Sequence, residues 1–78
     1  MQALIEYIAR ELVDDPTQVS VVAITTGVDV IVEVRVAPQD VGRLIGRHGR
    51  VINAIRALAQ ICAARHSQRA SVEVIENE

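Results

Sequence analysis

The spacing of apolar positions divides the chain into six elements. Leu4, Ile5, Ile8, Ala9, Leu12 and Val13 recur at helical intervals, with Gln2, Glu6, Arg10 and Glu11 on the other side. That stripe predicts a helix over residues 2–13. Asp14-Asp15-Pro16 ends it, because the residue before a proline is biased out of the helical region. From residue 19 the rhythm changes. Residues 19–26 are rich in β-formers, and residues 28–36 alternate with Val28, Val30, Val32, Val34 and Val36 on one face. Asp29, Ile31, Glu33 and Arg35 take the other face, and Thr26-Gly27 between the runs predicts a hairpin turn. Pro38 opens a short helix over 39–45. Gly46-Arg47-His48-Gly49 interrupts it, and a longer helix runs from Arg50 to about Arg65. A last strand covers 70–75, leaving Glu76-Asn77-Glu78 as a frayed tail. The expected architecture is α+β in the order α-β-β-α-α-β, with three helices on one face of a three-stranded sheet.

Charge is segregated along this framework. The chain has 78 residues and a formal net charge of -2. Between Val41 and Val72 there is no acid and there are six arginines, Arg43, Arg47, Arg50, Arg56, Arg65 and Arg69, a local charge of +6. The remainder carries all ten acids against Arg10 and Arg35, a charge of -8. A basic block in a mildly acidic chain points to a polyanion partner. Only one residue is aromatic, Tyr7, so no platform of base-stacking aromatics can be built.

The candidate chemistry sits between the two central helices. Gly46 and Gly49 permit backbone angles closed to other residues and the close approach of a ligand. The loop feeds a helix N-terminus, whose free amides favour phosphate. Arg47 and Arg50 add full charges, and His48 adds a hydrogen-bond donor. A nucleotide-binding P-loop is excluded, because the chain contains no lysine. No metal-ligand spacing and no nucleophile–base pair accompany the loop, so neither an enzyme nor a cofactor is expected. Cys62 has no mate for a disulfide and reads as a core thiol, and His66 reads as a helix-end residue. Between Val51 and Ala64 the helix is apolar on nearly every side, broken mainly by Asn53, Arg56 and Gln60, more than a monomer of this size needs.

Leu44-Ile45-Gly46-Arg47-His48-Gly49-Arg50-Val51-Ile52 resembles the signature of the KH domain: an apolar pair, Gly-x-x-Gly, then a further apolar position. The element order resembles the type II, prokaryotic arrangement, and the resemblance spans residues 1–78 as a single KH domain. It implies that the loop Gly46, Arg47, His48 and Gly49 clamps the backbone of single-stranded RNA, of about four nucleotides. It implies an apolar groove beside the loop, lined by Ile45, Val51, Ile52 and a residue of the 28–36 strand. Arg43, Arg50, Asn53 and Arg56 would then reach phosphate or base edges. The choice between RNA and single-stranded DNA stays open. The small single-KH bacterial proteins that the chain resembles further imply a cytoplasmic, bacterial RNA chaperone or post-transcriptional regulator. They imply a homodimer, or a complex with a larger KH protein of the KhpB (Jag) type. The alternative reading is a KH-like dimerisation module in which RNA binding is vestigial. The N-terminus lacks a basic region and carries an acid early, so it does not read as a secretory signal.

Overall fold

A computed structural model describes residues 1–78. Helix α1 (Gln2–Leu12) is followed by strands β1 (Ser20–Thr26) and β2 (Asp29–Val36), helices α2 (Val41–Ile45) and α3 (Arg50–Ala64), and strand β3 (Arg69–Glu76). Single 3-10 turns at Pro16–Gln18 and Pro38–Asp40, and a non-helical bend at Arg47–Gly49, join them. The order α-β-β-α-α-β is the one expected. The sheet order is β1-β2-β3, with β1 antiparallel and β3 parallel to β2. Parallel neighbours need a crossover, and α2 with α3 supply it.

The alternation in β2 sets the core. Val30, Val32, Val34 and Val36 are buried beneath the helices, with Ile5 and Ala9 of α1, Leu44 of α2, Ile55 and Ala59 of α3, and Val72 of β3. Val28 does not join that face as the alternation suggested. The hairpin loop is Gly27-Val28, one residue later than expected, because Thr26 already pairs with Asp29. Gly27 takes φ +61 and the exposed Val28 follows it outside the ladder. A two-residue loop of this kind needs a positive φ at its first residue, which glycine supplies at no steric cost.

The exit of α1 and the C-terminal tail are tied more firmly than the composition suggests. Asp14-Asp15 does more than end the helix. The Asp14 and Asp15 amides donate to Oδ1 and Oδ2 of Asp40 at 3.0 and 3.1 Å. Asp40 is fully buried, and Arg43 bridges it at 3.7 Å while pairing with Asp14 at 2.9 Å. Asp15 caps the Pro16 turn, and hydrogen bonds from Thr17 and Gln18 hold its carboxyl below the usual carboxylate range. At the other end Asn77 is held rather than frayed. Its amide donates to the Val36 carbonyl and its side chain to the Gln18 carbonyl, both at 2.8 Å.

Helix α3 stops at Ala64 in a left-handed cap. Ser67 takes φ +55, and the amides of Ser67 and Gln68 return to the carbonyls of Ala64 and Ala63. This is the pairing of a Schellman motif, here with serine in place of the usual glycine. His66 lies in that turn, beyond the helix, and is exposed. Cys62 is half-buried at the margin of the core rather than inside it.

Candidate functional site

The loop between α2 and α3 is built from three residues with positive φ. Gly46 ends α2 at φ 75, ψ 170, a region essentially reserved for glycine. A Cβ there would overlap the Val51 side chain and lie 2.9 Å from the Val51 nitrogen. Gly49 is left-handed at φ 73, ψ 15, and a Cβ there would meet only ordinary contacts, the nearest 3.8 Å away at Asn53. Between them His48 is also left-handed, at φ 58, ψ 24, and it has a side chain. Such a position costs about 1–2 kcal/mol for a non-glycine residue.

A cost of that kind can be read experimentally. His48→Gly should raise the stability to urea by about 0.5–1 kcal/mol, the relieved strain exceeding the added freedom of the unfolded chain. His48→Val should lower it by about 1 kcal/mol or more, since β-branched side chains suffer most at positive φ. Equal stabilities for the two variants would mean that residue 48 is not strained.

The loop gathers cationic side chains at the start of α3. Helix α3 starts without a side-chain cap and without an acid in its first turn. The positive end of its dipole is therefore neither capped nor neutralised from within the helix. Arg47, His48 and Arg50 are exposed around it, and neither arginine has a carboxylate partner. Asn53 lies against the loop, its amide nitrogen near Gly49, and Arg56 follows one turn further, exposed and without a carboxylate partner. Two unpaired guanidinium groups at a helix N-terminus are an arrangement that favours an anion, and Asn53 and Arg56 extend it along α3.

Not every residue singled out from the sequence belongs to that surface. Ile52 is 4% exposed and is part of the core, so it holds α3 down instead of lining a groove. Ile45 and Val51 are half-buried and retain some accessible surface beside the loop. The strand beside α2 and α3 is β3, not β2; β2 is central, and its helix-facing valines are covered. The signal for β3 lay in the parallel crossover, which places the strand after the helix pair next to β2 and beneath α3. Arg43 is engaged in ion pairs with Asp14 and Asp40, which gives it an anchoring role inside the fold. No cluster of metal-binding side chains is present, and no helix is long and apolar enough to cross a membrane.

The chain is similar to known proteins along nearly its whole length. A protein-family model described as KhpA/KhpB, KH domain, matches residues 2–74. The RNA-binding protein KhpA of Clostridium acetobutylicum is 41% identical over 75 residues, covering 96% of this chain and 100% of that protein. The RNA-binding protein KhpA of Borreliella burgdorferi is 41% identical over 73 residues, covering 94% of this chain and 89% of that protein. The protein of the same name in Chlamydia pneumoniae is 37% identical over 78 residues, covering 100% of both. No solved structure matches at a comparable level. With the type II element order, the Gly-x-x-Gly loop in its slot and relatives of this similarity along the whole chain, the protein belongs to the KhpA/KhpB KH-domain family.

Proposed function

We propose that this chain is a non-catalytic RNA-binding protein that acts as one KH unit over residues 1–78. Gly46 to Gly49 clamp the sugar–phosphate backbone of single-stranded RNA. The observation that carries this reading is the pairing of an uncapped, acid-free α3 N-terminus with the unpartnered cations Arg47 and Arg50. The relatives named RNA-binding proteins support it. Ile45 and Val51 give bases an aliphatic surface, β3 forms the far wall, and Asn53 and Arg56 extend the polar flank. A clamp of a few phosphates, without aromatic stacking, has modest affinity and weak sequence preference. The protein works in the cytoplasm as an RNA chaperone or post-transcriptional regulator.

Avidity comes from a homodimer or from pairing with a larger KhpB-type KH protein. The outer face of α3 supports this reading. Ile61 is 62% exposed, and Leu58, Ala54 and Ala57 lie exposed beside it at helical spacing. Small residues flanking two large apolar ones let a second helix approach closely. Ile61→Arg is expected to convert a dimer into monomers in light scattering while leaving the fold intact. An unchanged mass would remove α3 as the seam.

The test of the clamp is an NMR titration with short single-stranded RNA, comparing the natural chain with Arg47→Asp/His48→Asp. Shifts centred on residues 42–56 are expected. The double substitution should weaken binding at least about tenfold and flatten the salt dependence by about 0.7 for each phosphate no longer neutralised. A folded double variant that binds as the natural chain does would refute the clamp. No shifts in either protein at low salt would favour the dimerisation-module reading.

A further inference from the structure

Strand β1 is an edge of the sheet, and its outer side is unprotected. The two-residue loop makes Thr26 and Asp29 a hydrogen-bonded pair, and alternation makes Ile24, Val22 and Ser20 bond inward likewise. Val21, Ala23 and Thr25 therefore aim their N–H and C=O groups outward, and none of these six groups finds a partner in the loops, caps or side chains. Proteins ordinarily blunt such an edge with charge, proline or a bulge. The segment Ser20–Thr26 has no charged residue and no proline, and its register with β2 is unbroken. Apolar exposure also gathers at this side of the molecule. Val22 and Ile24 are each 44% exposed on the open face of the sheet, and α1, which packs on β1, leaves Tyr7 65% exposed with Leu4 and Leu12 near it in sequence.

We propose that β1 pairs antiparallel with β1 of a second copy of this chain, joining two sheets into one of six strands. A two-fold axis at Ala23 sets Val21 opposite Thr25 of the second copy and Ala23 opposite its own equivalent. All six outward groups on each strand then meet complementary ones. A charge near the axis would lie close to its own equivalent across it, and the strand carries none. The same register sets Val22 opposite Ile24 of the second copy as a non-hydrogen-bonded pair, with Cα atoms about 4.5 Å apart and side chains in contact. A nucleic acid is a poor occupant, because no cation lies on β1.

This edge is separate from the outer face of α3. Helix α3 packs on β3, and β3 lies at the opposite side of the sheet from β1. If α3 is also a dimer seam, as proposed above, the two interfaces together link dimers into tetramers and longer chains. The pairing of β1 itself does not depend on that seam.

The decisive experiment uses the full chain carrying Ile61→Arg, which isolates the edge. Sedimentation equilibrium from about 10 µM to about 1 mM should show monomers passing to dimers. Over the same range, hydrogen exchange at the Val21, Ala23 and Thr25 amides should slow roughly tenfold. Adding Val22→Lys and Ile24→Lys, both at exposed positions, should abolish both effects while the spectrum stays that of a folded protein. Exchange at the three amides is also followed in the natural chain, so the result stands whether or not Ile61 proves to be a seam residue. Exchange rates independent of concentration would overturn the proposal. So would protection that persists in the lysine variant.

Discussion

Gly46→Ala should cost about 4 kcal/mol of stability, whereas Gly49→Ala should cost about 1 and Gly42→Ala should gain about 0.5. These three glycines lie within eight residues, yet their surroundings differ in kind. At Gly46 two costs add. The backbone occupies φ 75, ψ 170, where side chains are nearly absent, and a Cβ would press on the Val51 side chain and nitrogen. Relief requires either the end of α2 or the start of α3 to move, and both are packed through Leu44 and Ile52. At Gly49 only the left-handed conformation resists, since the nearest contact is an ordinary 3.8 Å. Gly42 lies inside α2 with nothing within 4 Å of an added Cβ, so alanine brings only its better helix propensity. A domain of this size has a total stability of about 4–12 kcal/mol, so Gly46→Ala removes a large part of it. Urea unfolding of the three variants checks the order. A Gly46→Ala protein as stable as Gly49→Ala would show that the loop relaxes freely and that the Val51 contact does not constrain it.

The loop and the sheet were legible in the sequence for different reasons. Val30, Val32, Val34 and Val36 announce their face through strict alternation, a local property that the fold only has to accept. Gly46 and Gly49 announce a bend through residue type, and both take positive φ. Val28 fits the same alternation but lies in the turn, because pairing register is decided by the partner strand and not by periodicity. Ile52 was similarly ambiguous. Val51 and Ile52 are adjacent apolar positions about 100° apart on a helix, and spacing cannot tell which one faces the sheet. The identity of the strand beside the helices required the order of strands in the sheet. The edge character of β1 required it too, since an uncharged β-rich run reads equally well as a central strand.

Asp40 was the least legible of all, and Asp40→Ala should destabilise the protein by about 3 kcal/mol. An acid two residues after Pro38 looks like an ordinary solvated helix-start residue. Its burial comes from partners 25 and 26 residues away, the amides of Asp15 and Asp14. Those amides follow the end of α1, where the chain turns into the Pro16 turn and cannot satisfy them by helical bonding. The Asp40 carboxylate accepts from both at once and meets the Arg43 guanidinium on α2, so one side chain fastens the exit of α1 to the helix that carries the loop. Removing it leaves two amides without acceptors and one face of Arg43 without its anion. Asp40→Asn should cost less, about 1–2 kcal/mol, since one oxygen still accepts while the new amide group faces a donor. Arg43→Ala should cost less again, because its pair with Asp14 is largely in solvent, its approach to Asp40 is a long 3.7 Å, and the Asp40 carboxylate keeps both backbone amides. The double variant Asp40→Ala/Arg43→Ala, measured beside the singles by urea unfolding, isolates their coupling. If Asp40→Ala proved no more harmful than Arg43→Ala, the two backbone amides would not be the main partners. The clamp on α1 would then have to be sought in the apolar contacts of Ile5 and Ala9 alone.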